Sequence, residues 1–366
     1  KQNTMNNQND PQTILPGKLG NPNLSIETDP RTDPRIAAAF KMAATLPSPE
    51  APDATRASIQ AAIEYTKTFE DAGAIGHSAM EDAMPNYDNV INTVETIKGV
   101  DGNDITLYVH APTDASESGP CIVHTHGGGM VLMTAADPGF VRWRNDLASA
   151  GLRVIGVEFR NGGGKLGNHP FPAGLNDCAT AVNWVDENRE RFGISSIVIS
   201  GESGGGNLAI ATTLKAKKEG WLAQINGVYA CCPYISGAYF NPPPALASLT
   251  ENDGYGIDRN QMALLVRVYD PEGEHQTNPL AWPYHCPIEE LEGLPPHVIS
   301  VNELDPLRDE GLAFYRKLMA AGVPAIARTV HGTSHAGDLS FPDIAPDLYH
   351  ETLGSLRRFA NSLNNS

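Results

Sequence analysis

Positive charge is scarce in this chain of 366 residues: 26 lysines and arginines face 43 aspartates and glutamates, and the formal net charge is −17. The few cations are scattered, which argues against a nucleic-acid or anionic-membrane partner and makes the acidity a matter of solubility. Cysteine is sparse as well, with five residues and no pair at metal-ligand spacing, so reduced thiols are expected rather than a disulfide framework. Adjacent Cys231 and Cys232 end an apolar run and read as buried packing. No apolar run reaches the roughly 18 residues that span a bilayer, and the Asn/Gln-rich start lacks the apolar core of a secretory leader. A cytoplasmic setting is therefore expected, although a leader already removed is compatible with the same residues. No internal repeat is present.

What remains is a chain long enough to bury a large core. Residues 1 to about 30 carry few apolar anchors and read as a mobile or loosely draped arm. Helical periodicity begins at Asp33-Pro34 and again from about Asp53 towards Met80. Val90 to Lys98 and Ile105 to His110 flank turn residues and read as an antiparallel hairpin. Strands are then expected at Cys121–His126, Arg153–Phe159, Ile197–Gly201, Gly227–Pro233, His297–Asn302 and Ala325–His331. Helices between them, one of them continuous from about Ala173 to Phe192, imply an α/β fold with a mostly parallel sheet and helices on both faces. Residues 234–283 break this rhythm with Pro242-Pro243-Pro244 and no clear strand, a placement suited to part of a lid.

The chain is organised around Gly201-Glu202-Ser203-Gly204-Gly205. This is the G-x-S-x-G pattern, set between an expected strand and an expected helix, where glycines permit a turn sharp enough to expose the serine. Ser203 is the candidate nucleophile. In a glycine-rich chain five letters alone are weak, so partners decide the matter. The order nucleophile, acid, base is met by Asp305 after one strand and His335 after the last. Glu303 and Asp309 compete with Asp305, but Asp305-Pro306 favours an extended loop, whereas Asp309 suits a helix cap. His331, His124 and His126 compete with His335. His331 and His335 are four apart, yet Gly-Thr-Ser between them argues for a loop rather than a metal-binding helix, and His126 reads as a structural anchor of the loop it heads. Gly127-Gly128-Gly129 after a strand can converge backbone N–H groups on an oxyanion, together with the amide of Gly204. A phosphate cradle is the rival reading, and it fails for want of the Lys-Ser/Thr ending.

With His126-Gly-Gly-Gly129, Gly201-Glu-Ser-Gly-Gly-Gly-Asn207, Asp305-Pro-Leu-Arg-Asp-Glu-Gly311 and Gly332-Thr-Ser-His335 in this order, the sequence resembles the hormone-sensitive lipase family of α/β-hydrolases over roughly residues 90 to 360. Its N-terminal region is most like the bacterial brefeldin A esterase branch. The resemblance implies an arm and cap helices over 1–88, a catalytic domain over 89–366 and a second cap segment at about 234–283. It also implies no cofactor, no metal, an ester substrate of short to medium acyl length, and Gly128 and Gly129 as the loop's oxyanion donors. Two departures stand out: Glu202 where the family usually has Asp, and Gly204 where it usually has Ala. The first puts any orienting contact in doubt, and the second keeps the amide donor at a cost in rigidity.

These residues together imply a serine carboxylesterase whose activity falls as pH drops through about 6 to 7. An amide or formamide hydrolase would use the same triad, and a non-catalytic receptor on this fold would be expected to lack a triad member. Met130, Met133, Trp143, Phe171, Tyr234, Phe240 and Trp282 are candidate pocket walls, each equally at home in a core. Oligomeric state is open, a homodimer being one option.

Overall fold

The computed structural model describes residues 14–363. One sheet of eight strands runs through it, with β1 Val90–Lys98, β2 Asp104–Pro112, β3 Gly119–Thr125, β4 Arg153–Glu158, β5 Ile194–Glu202, β6 Gly227–Cys231, β7 His297–Asn302 and β8 Ala325–Val330. Their order across the sheet is β1-β2-β4-β3-β5-β6-β7-β8. β1 and β2 form the expected hairpin, β2 lies antiparallel to β4, and every pairing from β4 to β8 is parallel.

The central strands are apolar on both faces because helices cover both. On β5, Ile197 and Ile199 join one core with Leu208 and Ile210 of the helix Gly204–Glu219, while Val198 joins another. Leu147 of the helix Pro138–Ser149 and Leu356 of the helix Pro346–Ser362 pack on that second face. Burying a side chain of this size contributes about 1.5–3 kcal/mol. The strand tips are thereby fixed, and function falls to the loops beyond their carboxyl ends.

Three sequence expectations are overturned locally. The arm is not loose from Ile14 onward, whereas its first 13 residues lie outside the described residues. Ile26 is buried, and Arg31 bridges Asp29 at 2.8 Å and Glu251 at 2.6 Å. Glu251 pairs in turn with Arg308 at 2.7 Å, so two guanidinium groups neutralise one buried carboxylate. The single helix expected from Asp53 begins instead at Ile59, where Ser58 accepts a hydrogen bond from the Ala61 amide. It ends at Gly73, and a further short helix spans His77–Asp82. The helix Ala173–Glu187 likewise stops at Asn188 before a separate turn at Arg189–Phe192.

The helix Ile59–Gly73 packs against the helix Arg259–Tyr269, with Gln261 donating to the Tyr65 hydroxyl at 2.8 Å. Its buried Glu70 accepts from the amides of Met133 (3.0 Å) and Lys165 (2.8 Å), joining this N-terminal helix to the loop after β3. Among the described residues no helix is long and apolar enough to cross a membrane.

Candidate active site

Ser203 stands between β5 and the helix Gly204–Glu219 with φ 55° and ψ −119°, a strained conformation for a residue with a side chain. Its amide donates to the Cys231 carbonyl at 2.9 Å, which pins the turn to β6. The flanking glycines are required by β3: a Cβ on Gly205 would lie 1.8 Å from the Thr125 carbonyl oxygen, and one on Gly201 would lie 2.3 Å from it. The elbow is pressed onto a neighbouring backbone, and no side chain fits between.

The candidate acid and base follow the last two strands, β7 and β8. His335 Nδ1 lies 2.8 Å from Asp305 Oδ2, with the aspartate fully buried. Asp305 Oδ1 accepts from the Leu307 amide at 2.9 Å, and the Leu304 amide donates to the Thr333 carbonyl at 3.0 Å, tying the loop after β7 to the loop after β8. Burial lowers the pKa of His335, but the charge of Asp305, contact with the Cys232 thiol and the hydrogen bond that Nδ1 donates to Asp305 outweigh it and hold that pKa well above the ordinary value. The Cys232 thiol is itself pushed up to about 11 by burial, so at neutral pH the carboxylate supplies the charge.

The competing residues are occupied elsewhere. His331 is exposed and pairs with Glu303 at 3.2 Å, away from the Asp305–His335 pair. Asp309 sits in the first turn of the helix Arg308–Ala320 rather than at its cap, and its carboxylate accepts from the Ser248 amide. His126 anchors its loop, with Nδ1 donating to the Gly127 carbonyl at 2.6 Å and the ring stacked on Phe159. Burial lowers its pKa to about 4, so it is neutral.

The loop after β3 turns at Gly128 (φ 111°) and Gly129 (φ 63°), and a Cβ on Gly128 would strike the Leu132 carbonyl oxygen at 2.0 Å. The amides of Gly128, Gly129 and Gly204 have no acceptor among the described residues. Glycine at 204 is a packing necessity, because a Cβ there would lie 2.6 Å from the amide nitrogens of Gly129 and Met130.

Glu202 makes the orienting contact that its length had put in doubt. Oε1 accepts from the Gly127 amide at 3.0 Å, and Oε2 accepts from His124 Nε2 at 2.9 Å. Behind it, Arg144 lies 3.4 Å from His124 Nδ1 and donates to His110 Nε2 at 3.0 Å. Arginine can only donate, so His124 Nδ1 accepts and its proton rests on Nε2, facing Glu202. Gly156 leaves the room this buried arginine needs, since a Cβ there would lie 2.7 Å from its guanidinium carbon. Sequence reasoning missed this network. The available signal was polar His124 and Arg144 among residues otherwise fit for a core.

Ser203, His335 and the glycines Gly127, Gly128 and Gly129 line one cavity of about 630 Å³. Of the expected wall residues, Met133, Trp143 and Tyr234 line it, whereas Met130, Phe171, Phe240 and Trp282 do not. Trp282 is buried edge-on against Tyr234 and Tyr269, and Phe171 packs on Tyr269. The walls that sequence missed include Phe69, Met80, Phe140, Leu265 and Phe341.

Comparison with known proteins gives the same outline. Residues 122–338 match the alpha/beta hydrolase fold family. A carboxylesterase, NlhH, of Mycobacterium tuberculosis (strain CDC 1551 / Oshkosh) is 30% identical over 278 residues, 72% of this chain and 82% of its own. An arylesterase of Saccharolobus solfataricus is 29% identical over 283 residues, covering 75% of this chain and 86% of its own. Among solved structures, brefeldin A esterase, described as a bacterial homologue of human hormone sensitive lipase, superposes with a TM-score of 0.89 at 45% identity, covering 96% of this chain and 99% of that one. The esterase Est22 superposes with a TM-score of 0.81 at 38% identity, covering 92% and 98%.

Proposed function

Since the chain belongs to the alpha/beta hydrolase fold family, in its hormone-sensitive-lipase-like part, and is a carboxylic ester hydrolase, we propose that it cleaves its ester through an acyl-enzyme on Ser203. His335 takes the proton from the Ser203 hydroxyl, and Asp305 holds the imidazole in the tautomer with its proton on Nδ1. The amides of Gly128, Gly129 and Gly204 receive the charge that develops on the carbonyl oxygen. The same imidazole then protonates the leaving alcohol, and a water it activates releases the acid. The observation that carries this reading is the 2.8 Å contact between His335 and the fully buried Asp305, set beside a serine on the same cavity wall.

In this reading the N-terminal helices and residues 234–283 form the cap, since Phe69 and Met80 from the first and Met262 and Leu265 from the second line the cavity over Ser203. A mostly apolar cavity of about 630 Å³ suits an ester of short to medium acyl length. A nitrophenyl ester series of increasing acyl length, run beside matched anilides, tests this. Rates should peak within the short-to-medium range, with the anilides far slower, and a serine-reactive phosphonate should label Ser203. Anilides cleaved as fast as the esters, or a phosphonate that left Ser203 untouched, would refute the proposal.

A histidine base works only when neutral. Because the Asp305 carboxylate holds the His335 pKa well above its ordinary value, kcat/KM should fall on acidification with a midpoint above that of a free imidazole, about 6.5. A rate that stayed level well below that midpoint would exclude His335 as the base.

Gly204→Ala tests the oxyanion cradle. The added methyl would press on the Gly129 and Met130 amides at 2.6 Å, so kcat should fall by about 10²–10³, the cost of losing one donor. A loss under threefold, with an unchanged melting temperature, would mean that the loop is not the anion's binding site.

A further inference from the structure

We propose that Cys232, Asp305 and His335 form an inhibitory site for a thiophilic divalent cation such as Zn²⁺ or Cd²⁺, which switches hydrolysis off by taking the imidazole out of service. One ligand atom from each of the three side chains lies within 4.8 Å of the others. A tetrahedral zinc ion, with sulfur at about 2.3 Å and nitrogen or oxygen at about 2.0–2.2 Å, holds its ligand atoms on the order of 3.5 Å apart. Seating the ion means parting His335 Nδ1 from Asp305 Oδ2, which stand 2.8 Å apart, and drawing the thiol inward, side-chain shifts of about 1 Å.

The donor set selects the ion. Thiolate, imidazole and carboxylate together suit zinc and its heavier congener, whereas magnesium and calcium prefer oxygen alone. Three protein ligands leave a fourth position open, the pattern of a site that also admits water or another small ligand. The thiol stands at the tip of β6, where Cys232 adopts φ 36° and its amide donates to the Ser300 carbonyl at 2.7 Å. The proton transfers assigned to the triad do not use a sulfur there. Cys232 is buried, but the His335 side chain is 12% exposed and lines the cavity, which gives a small ion a way in.

Binding needs no oxidant. The cation replaces the thiol proton, which leaves to solvent, as a metal–sulfur bond forms. An ion shared with Asp305 must take Nδ1, the nitrogen that faces the carboxylate at 2.8 Å. The ring proton then moves from Nδ1 to Nε2, so that nitrogen can no longer accept from serine and inhibition follows. This inhibition rests on the triad reading, whereas the binding itself rests only on the cluster.

The test is a cadmium titration of the metal-stripped full chain at neutral pH, following ester hydrolysis and the cadmium–thiolate charge-transfer absorption together. One equivalent should abolish hydrolysis as the absorption appears, and EDTA should reverse both. Cys232→Ser, scored against its own basal rate, should lose the absorption and need at least about 30-fold more cadmium for the same fractional inhibition. Cys232→Ala gives the same comparison if the serine variant does not fold. Ser203→Ala should still develop the absorption, so a failed catalytic reading and a failed metal site are told apart. Equal cadmium sensitivity in the native protein and Cys232→Ser, or inhibition at one equivalent without the absorption, would overturn the proposal.

Discussion

Ser203→Ala should lower kcat on a nitrophenyl ester by about 10⁴–10⁶-fold, the range found when a serine nucleophile is removed from such a triad. The size of the effect separates a nucleophile from a binding residue. Deleting a hydroxyl that only helped hold substrate would cost about 1–3 kcal/mol, or roughly 5- to 160-fold. The methyl group of alanine leaves the elbow intact, because its geometry is set by the Ser203 amide on Cys231 and by the glycines against Thr125. The melting temperature should therefore move little. Burst kinetics with the native protein, absent in the variant, would show the covalent intermediate directly. A variant keeping a tenth of the native kcat would end the proposal for Ser203.

Asp305→Asn should cost about 10⁴-fold in kcat, a loss that follows from the hydrogen bonds around the carboxylate. Asp305 Oδ1 accepts from the Leu307 amide at 2.9 Å, so in the variant the amide oxygen is drawn to that position and the NH₂ group faces His335. An NH₂ group donates to Nδ1 and so forces the imidazole proton onto Nε2, the tautomer that cannot accept from serine. The variant also loses the charge that raises the His335 pKa, so its residual activity should persist to lower pH than native activity does. Glu303→Gln is the control. Glu303 pairs with exposed His331 at 3.2 Å and accepts from the Gly332 amide at 2.8 Å; glutamine keeps an oxygen for that amide, so neutralising it should lose only the ion pair, worth about 0–1 kcal/mol, and change kcat less than threefold. A larger loss from Glu303→Gln than from Asp305→Asn would reverse the assignment of the acid.

The strands that carry the proposed triad were legible because a buried parallel strand is a run of β-branched residues closed by turn chemistry. His297–Asn302 and the helix Arg259–Tyr269 fall where the pattern puts them. Features set by distant partners were not legible. The arm has few apolar anchors, yet it is fixed through Arg31 by a carboxylate 220 positions later in the chain. Glu202 reads as a conservative change beside the serine, but its meaning lies in His124 on another strand. Trp282 and Phe171 looked fit to line a cavity because aromatic character alone does not separate a wall from a core, and their ring partners decide it. Helix continuity is interrupted after Gly73 by a 3₁₀ turn at Ala74–Gly76 and at Asn188 by a non-helical residue (φ −107°, ψ 17°), breaks that periodicity does not register.

The proposed base belongs to the outermost ribbon of the sheet: His335 follows β8, which is hydrogen-bonded on one side only, to β7. Border ribbons fray more readily than those held on both sides. Warming would then silence turnover while the central strands keep their order, and heat inactivation of this hydrolase would begin as a local peeling that precedes melting.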